Sequence, residues 1–383
     1  MRAIQYIIGI TLLLILTSCS GQENKYKQKS KAERDSEKFA RSLGLELDEW
    51  QLEEDYYRAN SNKALINLSK EKPNISHLKF YHSDRSADTL SLPSEIGNFA
   101  ELTHLVLYSF NTNEIPNSIG ELKNLKSLTI RIPSLLHIPE SIGQLKSLEE
   151  LIISFADGTK TISSKIFQLP NLRKLELSRI HQPTVILDDD SFEQLTNLEE
   201  LIIHDTRMKI PKSINKLKNL KILDLGLYYG DVPSEAYEIP GVETLKLYSI
   251  SEDEMAGIGK LKSVKTFQLM NGNAISSEIS EMKDLREFTI WETYTDQFSD
   301  ELSKLNNLRK LKIVGTSKFK SVPNFIYGLR SLEELSLVGC DSLKILDDKI
   351  LDIAGIEIIN LERNKSLVLT ERQKSSKIIK RKN

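Results

Sequence analysis

The chain has very little cysteine: of 383 residues only Cys19 and Cys340 are cysteines, so no disulfide framework can hold its fold. Charge of one sign is also missing. The 52 basic and 54 acidic residues nearly cancel, which argues against a nucleic-acid binder. No apolar run is long enough for a spanning helix, which needs about 20 residues. The longest, Ile4 to Leu16, stops short of that. Catalytic signatures are missing as well. No G-x-S-x-G elbow, phosphate-binding glycine loop or dinucleotide fingerprint occurs. The six histidines, His77, His82, His104, His137, His181 and His204, do not fall at recognised metal-ligand spacing. The reading is therefore of a non-enzyme with no metal and no cofactor, whose stability comes from burial alone.

The first residues carry an address. Met1-Arg2 supplies a positive start, Ile4 to Leu16 an apolar stretch of signal-peptide length, and Leu16-Thr17-Ser18-Cys19 the end of it. Small residues before a cysteine in this setting resemble the lipobox of bacterial lipoproteins. The resemblance implies cleavage before Cys19, diacylation of its thiol and acylation of the new amino terminus. Several acyl chains would anchor the protein stably, each buried methylene adding about 0.8 kcal/mol. Ser20 stands where an aspartate would resemble an inner-membrane retention signal, so the expected location is the outer membrane of a bacterial envelope.

Residues 1–18 are then a signal peptide and residues 19–42 a polar, Lys/Glu/Ser-rich tether with too little apolar surface to fold. Residues 43–70, with Leu43, Leu45, Leu47, Trp50, Tyr56, Tyr57 and Leu65, are expected to form a helical cap of one or two helices. Residues 370–383 read as a frayed basic tail.

Between them the chain repeats itself. An L-x-x-L-x-L core recurs as Leu102-Leu105-Leu107, Leu125-Leu128-Ile130, Leu148-Leu151-Ile153 and so on to Ile356-Ile359-Leu361, after a weaker copy at Ile75-Leu78-Phe80. Successive copies start 21 to 27 residues apart. Each triplet is one short strand with apolar residues inward and the intervening residues outward. One unit cannot bury its leucines; stacked units can, and their parallel strands line a concave surface. The linkers repeat too: Ile115-Pro116-Asn117-Ser118-Ile119-Gly120-Glu121-Leu122 returns as Ile138-Pro139-Glu140-Ser141-Ile142-Gly143-Gln144-Leu145. Proline is expected to start a short helix, and glycine to end it in a left-handed conformation.

This phrase resembles the Ras-group leucine-rich-repeat proteins, with disease-resistance-like members, over about residues 75–365. The resemblance implies an α/β leucine-rich-repeat solenoid, a horseshoe with a concave sheet of about 12–13 strands and a short-helical convex side. One departure is plain. Where the family places a ladder asparagine, three residues after the last strand leucine, this chain has Phe110, Pro133, Ala156, Ile180, Thr206, Tyr228, Ile250, Gly272, Thr293, Thr316, Cys340 and Asn364. Only Asn364 fits, so the turns must satisfy their backbone groups in other ways. Cys340 belongs to this buried column rather than to a reactive site.

Function should lie on the outward strand positions. Tyr108, Arg131, Ile152, Ile202, His204, Lys246, Tyr248, Met270 and Trp291 are the candidate binding residues, with Tyr248, Met270 and Trp291 as a cluster in neighbouring repeats. Val106 and Phe155 are further apolar groups expected on the wet face. Such aromatic and methionine side chains anchor interfaces. The expected partner is a protein, or alternatively a surface glycan stacking on the same aromatics. A hydrolase using His204, Asp205 and Asp224 is the remaining alternative. Asp188-Asp189-Asp190 lacks the spacing of a calcium loop and precedes Ser191 and Gln194 at capping-box spacing, so a helix start is expected there.

Overall fold

A computed structural model describes residues 51–381 apart from 54–55, 83–91, 110–111, 156–162, 180–186, 207, 228–231, 273, 296 and 317. The signal peptide, Cys19, the tether and residues 43–50 of the expected cap lie outside the described residues. Strands β1 (Gln51–Glu53) and β2 (Tyr56–Ala59) form an antiparallel pair, and helix α1 (Asn62–Glu71) follows. Ser61 caps α1 by accepting from the Ala64 amide. The expected all-helical cap is corrected here: Tyr57 and Ala59 pair with the first repeat strand, and that pairing overrides local propensity.

The repeat strands are β3 (His77–His82), β4 (His104–Ser109), β5 (Ser127–Arg131), β6 (Glu150–Ser154) and β7 (Lys174–Ser178). The sheet continues through β8 (Glu200–Thr206), β9 (Ile222–Leu227), β10 (Thr244–Tyr248), β11 (Thr266–Met270) and β12 (Glu287–Trp291). β13 (Lys310–Val314), β14 (Glu334–Val338), β15 (Ile358–Asn360), helix α2 (Glu371–Ser375) and β16 (Ile379–Lys380) complete it. The sixteen described strands form one sheet in chain order, parallel from β2 onward. The tail is thus not frayed. A capping box between Thr370 and Gln373 starts α2, and β16 pairs with β15. The helix expected after Ser191 is absent among the described residues; Asp189 to Gln194 form turns.

The strand leucines do what the alternation requires. Leu105, Leu107, Leu128, Ile130, Leu151 and Ile153 are at most 1% exposed. Each buried side chain of this kind contributes about 1.5–3 kcal/mol. On the convex side the linkers are 3-10 turns, capped by Pro93, Pro116, Pro139, Pro211, Pro233 and Pro323. The glycines act differently from the expectation. Gly97 and Gly120 lie within these turns, and a Cβ there would come within 2.7 Å of the carbonyl oxygen of Ser118 or Ser141 in the next repeat. Their task is close approach of neighbouring turns rather than a left-handed φ.

Left-handed residues occur elsewhere, in a column two positions past the last strand leucine. Arg179, Asp205, Ser249, Asn271, Glu292, Gly315, Gly339 and Arg363 all have φ between 48° and 69°. The conformation turns the chain while keeping the amide in the ladder: Ser249 N donates to Met270 O, and Glu292 N to Val314 O, both at 2.8 Å. At the next position Thr293 and Thr316 donate to the preceding turn, and Asn364 bonds three backbone groups. At the opposite end of the strands asparagines form a second ladder. The side-chain amides of Asn124, Asn171, Asn197, Asn219 and Asn307 each donate to a carbonyl one repeat back, at 2.8–3.0 Å.

Candidate concave binding face

Strand register sorts the outward residues into rows. The central row runs Arg58, Lys79, Val106, Thr129, Ile152, Glu176, Ile202, Asp224, Lys246, Gln268, Thr289, Lys312, Ser336, Asn360. The next row, towards the strand C-termini, contains Tyr81, Tyr108, Arg131, Ser154, Ser178, His204 and Gly226. It then continues through Tyr248, Met270, Trp291, Val314 and Val338.

The candidate residues therefore fall into three places. Near the N-terminal end Tyr108 stacks on Tyr81, with ring centres 4.9 Å apart, and Arg131 stands exposed beside it. Ile152 and Ile202 are half-buried in the central row and flank Glu176. Tyr248, Met270 and Trp291 are direct neighbours on β10, β11 and β12, all half-buried. Val314 and Val338 extend them into a five-strand apolar stripe of about 19 Å. The Lys312 ammonium lies 5.1 Å from the Trp291 ring centre, a cation–π contact at the edge of the stripe. Phe155 is corrected: it is fully buried, because the chain turns inward directly after β6.

At the other end of the stripe sits a polar cluster that alternation alone does not reveal. Asp224 occupies an outward position, yet it is 2% exposed. His204 Nε2 lies 2.6 Å from its Oδ1, and Lys246 Nζ lies 3.0 Å from its Oδ2. Gly226 explains how the groups meet. It follows His204 in the row, and with no side chain there the His204 and Tyr248 rings close to 5.2 Å across the gap. A Cβ on Gly226 would meet the His204 ring at 3.2 Å. Burial first, and then the Asp224 carboxylate, raise the Tyr248 phenol above its ordinary range. Asp224 thus fixes Lys246 and His204 beside the stripe.

Ser178 neighbours His204 in register, but among the described residues no hydroxyl or thiol hydrogen-bonds the His204 ring. Asp205, the other acid of the hydrolase alternative, is the left-handed residue of its turn. Cys340 is buried, and burial pushes its thiol up to about 12, far from a reactive thiolate. Among the described residues no three His, Cys, Asp or Glu side chains gather as a metal centre, and no helix is long and apolar enough to cross a membrane.

The family model described as "Leucine-rich repeat region" matches residues 62–206 and 187–350, well over half the chain, and the protein belongs to this family. Proteins of the family generally act as protein-interaction modules. A curated relative, "Leucine-rich repeat and WD repeat-containing protein 1" of Xenopus tropicalis, is 26% identical over 190 residues. That match takes in 47% of this chain and 27% of the relative, so the chain spans about a quarter of the relative's length. Among solved structures, a leucine-rich-repeat protein of Leptospira interrogans is similar with a TM-score of 0.56 and 23% identity, over 86% of this chain and 89% of that one. The Toll–Spätzle complex of Drosophila is similar with a TM-score of 0.58 and 16% identity, over 79% of this chain and 40% of that one. Both similarities concern the fold alone.

Proposed function

We propose that this chain is a membrane-tethered, non-catalytic module that holds a protein partner on its concave sheet. The observation that carries the reading is the in-register stripe Tyr248–Met270–Trp291–Val314–Val338, half-exposed on a rigid sheet where one wet face is expected. Aromatic and methionine side chains are enriched at the cores of interfaces, where they release much apolar surface from water. The His204–Asp224–Lys246 cluster supplies oriented polar groups beside them. The rim at the strand starts is neutralised repeat by repeat, as in Lys126–Glu149, Arg173–Glu199, Lys265–Glu243 and Arg309–Glu333. These half-exposed pairs add little stability. They present a mixed surface that suits a protein better than a polyanion. The Toll neighbour, whose structure is that of a complex with Spätzle, illustrates such a use of the fold. The anchor is Cys19, read from Leu16-Thr17-Ser18-Cys19, and the location is the outer membrane of a bacterial envelope.

Crosslinking and mass spectrometry in the host, comparing the wild type with a Tyr248→Ala, Met270→Ala, Trp291→Ala triple variant, tests the reading. One protein should be enriched by the wild type and lost with the variant, whose thermal unfolding stays nearly unchanged. Equal capture by both would remove the stripe from the site. Palmitate labelling should disappear in Cys19→Ala, and labelling that persists would overturn the anchor.

A further inference from the structure

The backbone beneath the apolar stripe limits what can lie on it. Strands β10 to β14 are each paired on both sides, so none offers an edge to which an extended segment could add. A segment crossing them in extended form would leave its own amides and carbonyls without protein partners. A helix satisfies those groups internally.

Spacing favours the helix as well. Neighbouring strands are about 4.8 Å apart, so the side chains from Tyr248 to Val338 leave four gaps at that interval. An amphipathic helix advances its apolar row by about 5.4 Å per turn, and residues i, i+4, i+7 and i+11 supply one side chain per gap. Same-face residues of an extended segment recur only every 6.8 Å or about that. Beside Val314 and Val338, Gly315 and Gly339 carry no side chain that would obstruct a helix about 10 Å across.

The two ends of the stripe differ in polarity. At the β10 end the half-buried Lys246 ammonium gives one donor to Asp224 and has two more. At the far end Glu362 stands next to Val338 in the same row, since Gly339 N donates to Glu362 O at 3.1 Å. Its side chain is half-buried. A carboxylate complements the unpaired N–H groups at a helix start, and an ammonium the last carbonyls.

We propose, given a protein partner on the concave face, that its contact segment is an amphipathic α-helix of about 13 residues lying across β10 to β14. Its N-terminus lies at Glu362 and its C-terminus at Lys246. Its apolar row enters the gaps of the stripe. The flank towards Lys312 is acidic, and the flank towards the exposed Glu292 is basic.

Photocrosslinking in cells of the host tests this, with a benzophenone amino acid placed singly at Val338, Trp291 and Tyr248 and the adducted partner residues mapped by mass spectrometry. A helix in this direction predicts adduct positions that rise in the partner sequence from the 338 probe to the 248 probe, spread over about 13 residues. Glu362→Gln should weaken capture about two- to fivefold. Hydrogen exchange of the wild-type complex, which needs no substitution, should protect a run of about that length in the partner. Adducts confined to about 6 residues fit an extended segment and would overturn the helix, as would the absence of a protected run, while the stripe stayed a binding site. Adducts in falling order would overturn the direction. No adduct from any probe would remove the stripe from the site and the binding proposal with it.

Discussion

Asn364 has three backbone partners while 2% exposed: its amide donates to Leu337 O at 2.6 Å and Leu361 O at 3.0 Å, and its oxygen accepts from Cys340 N at 2.7 Å. Truncation leaves buried groups on two repeats unpaired, which costs far more than the net worth of one bond. Asn364→Ala should destabilise the chain by about 2–4 kcal/mol in denaturant unfolding, and Asn197→Ala, with one exposed bond, by about 0.5–1.5 kcal/mol. Equal effects would mean that the two ladders do not differ in burial as described. The first ladder was legible as a departure from the family pattern. The second was not, although Asn124, Asn171, Asn197, Asn219 and Asn307 all stand directly before the first strand leucine. A polar residue beside an apolar triplet looks like surface until the carbonyl one repeat back is in place. Asp224 was hidden for the same reason: its partners His204 and Lys246 are 20 and 22 residues away, and the space they share depends on Gly226.

Element by element, alternation with period two located the repeat strands because each buries one face only. The caps escaped that reasoning. Tyr56 to Ala59 is extended because β3 offers it a partner, and the basic end is ordered because Gln373 is buried and donates to Leu346 O at 2.7 Å. The Thr370-x-x-Gln373 spacing carries the capping-box signal for α2 inside a segment whose basic charge reads as a frayed tail. Among the convex turns the proline positions held as turn starts, while glycine proved to serve packing between repeats. A methyl on Gly120 meets the Ser141 carbonyl oxygen at 2.7 Å, and on Gly143 it meets Lys165 Cβ, an atom placed by the backbone, at 2.8 Å. Gly120→Ala and Gly143→Ala should therefore each lower stability by about 1–3 kcal/mol, by thermal or denaturant unfolding. Unchanged stability in both variants would contradict the close-approach account.

For the molecule as a whole, one sheet in chain order means that rows on the concave face are read strand by strand, and function follows from which rows become continuous. The stripe was recoverable from spacing because Tyr248, Met270 and Trp291 hold the same place in consecutive repeats. Its continuation through Val314 and Val338, and its polar end at Asp224, needed the register. Parallel stacking carries the energetics as well: each repeat is stable only against its neighbours, so the concave face is held by the core behind it. Site-specific photocrosslinking tests the central claim most directly, with a benzophenone amino acid placed at Met270 on the stripe or at Lys262 on the outer side, in cells of the host. The account expects one protein adduct from position 270 and none from 262. An adduct from 262 alone, or the same adducts from both, would contradict a concave-face binding module.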